Sequence, residues 1–214
     1  MRVILIAAST VCGRISPAKF GSHEDLLHLR NMRLETDASI IGAGTLREEN
    51  PEIKGPEGTD LKSRIRAIVS GSGHIPIDGK LIFNQSNPPI IFTSHFAAQK
   101  LSAKAGNLAE VVAIPLGHYG LSIVALLREL EKRGASSVLV EGGGKLNYSI
   151  IAEGVVDEII VTITPNISGN RNSASLVDGP VDSNLPLVNL ELLSSRVGKS
   201  GEIFVRYRVR ENTS

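Results

Sequence analysis

Short apolar runs rich in Val and Ile alternate along this chain with segments of helical periodicity. Residues 3–8, 39–42, 67–70, 90–93, 111–114, 138–140, 159–163 and 203–209 have the make-up of β-strands. Several are apolar without alternation, the pattern of strands covered on both faces. The last differs: Arg206 and Arg208 flank Tyr207, the alternation of an edge or half-exposed strand. Residues 22–35 predict a helix, with Ser22 at the N-cap, Glu24 and Asp25 in the first turn, and Leu26, Leu29 and Arg33 on one side. Residues 121–133 predict a second, with Leu126, Leu127 and Leu130 inward and Gly134 as its stop. Residues 145–153 predict a third helix and 95–104 a weaker fourth. The Pro-, Gly- and charge-rich stretch 48–62 predicts a surface loop, and 166–186 a long irregular segment. This order predicts an α/β sandwich on a largely parallel sheet, with antiparallel strands added near the end of the chain, where no strong helix intervenes.

Composition narrows the functional classes. The chain has 214 residues, 23 Lys plus Arg against 22 Asp plus Glu, and a net charge of +1. With 42% hydrophobic and 21% charged residues it has the balance of a folded domain, not of a disordered chain. The near-neutral total gives no support to a nucleic-acid binder, which needs a basic face. One domain over 1–214 is the expectation. The single cysteine, Cys12, excludes an intrachain disulfide and a cysteine-built zinc site. No apolar run approaches the ~20 residues that span a bilayer. The apolar N-terminus is better explained as a first strand than as a signal peptide, so the expected location is the cytoplasm.

Two glycine turns follow apolar strands. In Val138-Leu139-Val140-Glu141-Gly142-Gly143-Gly144-Lys145-Leu146, a buried strand runs into three glycines and then a helix. Bare backbone admits a ligand closely, and a helix N-terminus offers free N–H groups to a phosphate. The spacing is neither that of a P-loop nor of the dinucleotide fingerprint, and a tight turn without ligand remains an equal reading. Ile40-Ile41-Gly42-Ala43-Gly44-Thr45 repeats the arrangement. Read together, the two favour a dinucleotide in the crevice at the strand C-termini. A third strand end, Val69-Ser70-Gly71-Ser72-Gly73-His74, is either a ribose or 2′-phosphate contact or a plain exposed turn.

Several stretches in order carry a resemblance. They are Thr10-Val11-Cys12-Gly13-Arg14-Ile15, His23-Glu24-Asp25-Leu26, Met32-Arg33, Asp37-Ala38, Gly42-Ala43-Gly44-Thr45 with Asn50-Pro51, Glu141 to Asn147, and Gly154-Val155-Val156-Asp157-Glu158-Ile159 with Pro165 and Gly169. Over nearly its whole length the chain resembles the riboflavin-biosynthesis reductases, the dihydrofolate-reductase-like family. The resemblance implies an α/β three-layer sandwich with a mixed, mostly parallel sheet and flanking helices, NADPH as hydride donor, and a homodimer. The implied reaction converts a pyrimidine ribosylamino 5′-phosphate to its ribitylamino form, with hydride delivered to C1′ of the opened ribose. No metal, nucleic acid or membrane is implied.

By this resemblance Gly44, Thr45 and Glu49 lie by the cofactor, Ser70, Gly71 and Ser72 near its adenosine side, and Gly142, Gly143, Gly144, Lys145 and Leu146 around its pyrophosphate. Glu141 and Arg33 face the substrate, with Arg14 at the position usually held by a lysine; Glu141 and Arg14 are the implied catalytic pair. Thr10, Cys12, Lys19 and Lys54 complete the substrate side. Arginine forks suit a phosphorylated sugar, and hydride transfer needs chiefly orientation of two bound molecules. The chain departs from the family at Cys12, where an Asp is usual, at 53–56, where an Arg is absent and Lys54 stands nearby, at Ala18, and at Ser70. Cys12 is expected to be a buried or semi-buried pocket residue rather than a nucleophile, since free Cys is mostly buried. The His-x-Glu and paired cysteines of a zinc deaminase are absent, which implies a stand-alone reductase. Two alternatives stay open: a related reductase of another small heterocycle, and a non-catalytic nucleotide-binding module.

Overall fold

The computed structural model describes residues 1–15 and 21–210; Lys19, with its neighbour Ala18, lies outside the described residues. The first strand, β1 (Arg2–Thr10), sits mid-sheet because its side chains are apolar on both faces. Val3 and Leu5 face one layer of the core while Ile4 and Ile6 face the other. Helix α1 (His23–Leu34) starts where Ser22 Oγ accepts the Asp25 N–H at 3.1 Å, the expected cap. Then follow β2 (Ala38–Gly42), α2 (Ala43–Glu49), β3 (Ile65–Ser70), β4 (Ile90–Thr93), α3 (His95–Ala105) and β5 (Glu110–Ala113). A small hairpin, β6 (Leu116–Gly117) and β7 (Gly120–Leu121), leads to α4 (Ile123–Lys132), β8 (Ser137–Val140), α5 (Gly144–Ala152), β9 (Glu158–Thr164), β10 (Leu190–Val197) and β11 (Ile203–Val209).

Nine strands form one sheet in the order β10-β11-β9-β1-β8-β2-β3-β4-β5. All neighbours from β9 to β5 run parallel, and β11 is antiparallel to both β9 and β10. Leu126, Leu127 and Leu130 of α4 and Leu146 and Ile150 of α5 cover one face; α1, α2 and α3 pack Met32, Leu46 and Leu101 on the other. The three layers and the mostly parallel sheet are those expected. Insertion of β8 between β1 and β2 makes a switch point, and the crevice opens at the C-terminal ends of these strands.

Three expectations need correction. Residues 43–49 are a helix, not a turn followed by loop, because burial of Ala43, Thr45 and Leu46 overrides the poor propensity of Gly44. Strand β10 lies in a segment without strand alternation: it is an outer strand, exposed at most positions, and a register shift at Leu193 breaks its period. In α1, Leu26 is 41% exposed, and the inward residues of the last turn are Met32 and Arg33.

Candidate active site

Two cavities meet at the crevice. The first, about 410 Å³, lies between Gly44 and Thr45 of α2, Gly71 after β3, Tyr119 and Leu121 of the hairpin, and Gly143 to Leu146 at the start of α5. The second, about 350 Å³, lies between β1 and α1 and is lined by Ile6, Ala8, Asp25, Leu26, Glu141 and Gly142 among others. Ile15, Thr45, Glu49 and Gly143 border both. Glu49 thus stands at the junction. Burial raises its carboxyl above the usual range, and the neighbouring Glu48 carboxylate adds to the rise.

The three glycines between β8 and α5 have separate reasons. Gly142 and Gly143 hold φ of +111° and +102°, which side chains rarely adopt. A Cβ on Gly144 would lie 2.5 Å from the Ser175 carbonyl oxygen and 2.7 Å from an Asp178 carboxylate oxygen. That close approach belongs to a strap, residues 174–178, tied to both flanks. Ala174 O accepts from Ile15 N, Leu176 N donates to Gly13 O, and Asp178 N donates to Gly144 O, each at 3.0 Å. Asn147 of α5, fully buried, donates through Nδ2 to Leu176 O at 2.8 Å. The passage between the cavities is narrow here: a Cβ on Gly143 would sit 3.2 Å from Thr45 Oγ1.

The residues implied for substrate are arranged otherwise. Arg33 and Glu141 form a closed fork, with Nη2–Oε2 at 2.6 Å and Nε–Oε1 at 3.0 Å, and both side chains are 4% exposed. Arg33 Nη1 also donates to the carbonyls of Glu52 and Lys54, pinning the loop after α2. Ser39 donates to Glu141 and accepts from Arg64 Nε at 2.7 Å; Arg64 further donates to the carbonyls of Arg33, Thr36 and Ala38. Burial alone would raise the Glu141 carboxyl, but Arg33, Arg64 and the Ser39 hydroxyl together hold it below the usual range. Burial in turn pulls the Arg64 guanidinium down to about 10. Arg33 lines neither cavity, whereas Glu141 borders the second.

Thr10, Cys12 and Arg14 form a separate knot on the strap. Thr10 Oγ1 accepts from Arg14 N at 3.0 Å, and Arg14 Nη1 donates to Ser173 O at 2.9 Å. Cys12 is exposed, which corrects the expectation of burial: its loop lies on the surface, and Sγ donates to Ser168 O at 3.1 Å. Hydrogen bonds from the Thr10 hydroxyl and the Ser168 backbone lower its thiol. Lys54 pairs with Glu52 at 2.8 Å, Ser70 is buried, and Ser72 Oγ accepts from His74 N at 3.3 Å; none of these borders either cavity. Sequence reasoning did not select Ser39, Arg64, Asp178 or Tyr119, and noted Asp25 only as a first-turn acid. Ser39 and Arg64 had one signal, polar groups within or beside apolar strands that have to find partners.

The sequence profile of the RibD C-terminal domain matches residues 2–204. The chain belongs to the RibD C-terminal domain family. Among the relatives of this RibD domain is a protein of Methanothermobacter thermautotrophicus named 2,5-diamino-6-ribosylamino-4(3H)-pyrimidinone 5′-phosphate reductase. It is 31% identical over 216 residues, spanning 97% of this chain and 98% of that one. A pyrimidine reductase-like protein of Corynebacterium diphtheriae has the same fold, with a TM-score of 0.83, 22% identity, and coverage of 99% of this chain and 92% of that one. The Thermotoga maritima deaminase/5-amino-6-(5-phosphoribosylamino)uracil reductase matches with a TM-score of 0.76, 21% identity, and coverage of 98% of this chain and 56% of that one. The RibD domain described here is a reductase of the riboflavin-biosynthesis type that uses a nicotinamide cofactor.

Proposed function

We propose that this RibD domain uses NADPH to reduce a 2,5-diamino-6-ribosylamino-pyrimidinone 5′-phosphate to its ribitylamino form. The observation that carries the reading is the pair of cavities joined at Thr45, Glu49 and Gly143: one has a bare glycine turn, the other lies beside the Arg33–Glu141 fork. The cofactor fits the first cavity, which Gly143 and Gly144 line with bare backbone and which a Cβ on Gly143 would narrow toward Thr45. The backbone N–H groups at the start of α5, with Lys145, would hold its pyrophosphate. Arg47, exposed at the cavity wall, donates to His74 O at 2.9 Å and has no ion-pair partner among the described residues, which favours the 2′-phosphate of NADPH over NADH.

The bound cofactor supplies a hydride to C1′ of the opened ribose. The protein's part is to orient. Thr45 and Glu49 border both compartments and fix the approach of one ligand to the other. The reduction takes up one proton, and Glu49, whose carboxyl is raised above its ordinary value, borders both cavities where a proton can be delivered. The fork of Arg33 and Glu141 keeps the floor rigid rather than offering a free cation. A homodimer is part of the same reading. The outer strand β10 leaves Leu190, Leu192, Leu193 and Val197 exposed, a face suited to a second copy. The reading places the protein in the cytoplasm; no helix among the described residues is long and apolar enough to cross a membrane.

The test is NADPH oxidation by the purified protein on addition of the diaminopyrimidinone substrate, followed by absorbance. Turnover with NADPH well above that with NADH is expected. Binding of NADPH without turnover of any pyrimidine phosphate would leave a reductase of another heterocycle or a binding module.

A further inference from the structure

The second cavity has a chemical character of its own. Ile6, Ala8, Leu26 and Leu29 give it flat apolar walls. The charged side chains that border it among the described residues are all acidic: Asp25, Glu49 and Glu141. Glu141 is neutralised by Arg33, so Asp25 and Glu49 set the local charge. These acceptors suit a planar ring that turns N–H donors toward them.

Asp25 stands ready for those donors. It lies in the first turn of α1, placed by the Ser22 cap. The Thr162 hydroxyl of β9, a residue 1% exposed, makes no hydrogen bond among the described residues, and it is near enough to the Asp25 carboxylate to lower it. Burial raises this carboxyl and Glu202 adds to the rise, while the Thr162 hydroxyl and His28 oppose it. A desolvated carboxylate that accepts no hydrogen bond among the described residues is an acceptor short of donors.

The reductases compared above differ in the ring they are named for. The Methanothermobacter name specifies a 2,5-diamino-pyrimidinone, the Thermotoga name a 5-amino-uracil. The first ring presents N3–H and the 2-amino group side by side, two donors matched to two carboxylate oxygens. The second presents the O2 lone pairs where the amino group was, and these face a carboxylate repulsively.

We infer that Asp25 reads the N3–H and 2-amino edge of the pyrimidine and makes this reductase select the 2-amino over the 2-oxo form of its substrate. The inference rests on the reading of the second cavity as the pyrimidine site.

The experiment compares kcat/KM for the two ribosylamino phosphates in the native protein, Asp25→Asn and Asp25→Ala. A parallel arm measures binding of the bare rings, 2,5,6-triamino-4-oxopyrimidine and 5,6-diaminouracil. The native protein is expected to favour the 2-amino forms by about 100-fold or more, as sites built around paired hydrogen bonds do. Asp25→Asn, which keeps the shape, should bring the ratio within about tenfold, since its amide also donates to O2. NADPH affinity and melting temperature should stay near native, which separates recognition from folding. No preference in the native protein, or an unchanged ratio in both variants, overturns the inference. If neither phosphate is turned over, the proposed function fails. The ring-binding arm then still decides: equal affinity for the two rings sinks the role of Asp25, and a preference lost in Asp25→Asn upholds it.

Discussion

The two halves of the crevice are built from different materials. The half proposed for the cofactor is largely backbone: glycines at positive φ, a helix start, and a strap held by main-chain hydrogen bonds. The half proposed for substrate is side chain: the Arg33–Glu141 fork, Ser39 and Arg64 beneath it, and Asp25 at the wall of the second cavity. Backbone tolerates most neighbours and punishes an added Cβ. A buried charge network tolerates little change in any member, because each charge is desolvated on the assumption of its partner. The halves should therefore fail in different ways when altered.

The largest effect is expected in the network. Glu141→Gln leaves Arg33 and Arg64 without a counter-charge in a site that is 4% exposed. Breaking a buried pair in this way costs about 3–5 kcal/mol. For a chain of this size that corresponds to a melting temperature lower by roughly 10 °C. Removing the fork, as in Arg33→Met with Glu141→Leu, should restore part of the stability, with buried Arg64 still lacking its counter-charge, while abolishing turnover. Calorimetry of the single and double variants decides. Equal loss in both would mean that the fork contributes packing rather than charge balance.

Next comes the glycine turn. Gly143→Ala places a methyl group 3.2 Å from Thr45 Oγ1 at a φ of +102°. The backbone strain is of order 1–3 kcal/mol. NADPH affinity should fall by about tenfold or more, equivalent to ~1.4 kcal/mol. Glu141→Gln, by contrast, should leave cofactor affinity in the folded fraction near native. Titration of NADPH against both variants sharpens the contrast; similar affinity losses in the two would erase it.

The contrast also explains what was legible beforehand. Glycine runs after apolar strands announce a backbone-built site, and Gly143, Gly144, Lys145 and Leu146 do border the first cavity. Strands β1 to β5, β8 and β9 were legible for a similar reason: local composition and burial agree in apolar segments, whereas the short hairpin β6–β7 left no such run. Charge networks leave a fainter trace. Ser39 and Arg64 are ordinary residues until a fold places Ser39 between Arg64 and Glu141, which is 102 residues from Ser39 along the chain. Arg33 pointed to a substrate-facing cation, but packing turned it onto a carboxylate. Cys12 pointed inward by its type, yet its loop is on the surface. Strand β10 was hidden because its partner is the next strand, not the core, so its apolar residues follow no single face.

A smaller effect tests the end of the sheet opposite the crevice. Asp37 accepts from the backbone N–H and hydroxyl groups of Ser136 and Ser137, joining the turn before β2 to the turn before β8. These donors, the Ser136 hydroxyl foremost, lower its carboxyl to about 2 from an ordinary 3.8. A carboxyl whose folded value is depressed contributes stability that is fully present above the unfolded value and is lost as pH falls toward the folded one. Stability should thus decline between about pH 4 and pH 2 in the native protein. In Asp37→Asn this part of the decline should be absent, with about 1 kcal/mol already lost at neutral pH. Urea titrations across that range read both.

The smallest effect lies where the two kinds of construction meet. Ser22 caps α1 through its side chain, and the N–H it receives belongs to Asp25. Ser22→Ala removes one acceptor from a helix start, at a cost of about 1 kcal/mol. If the cap serves stability alone, the discrimination between 2-amino and 2-oxo substrates should not move. If it also sets the direction of the Asp25 side chain, the ratio should shrink by a measurable factor, and Ser22→Asp, which keeps an acceptor at the cap, should recover it. Restored stability without a restored ratio would show that the cap and the carboxylate act independently.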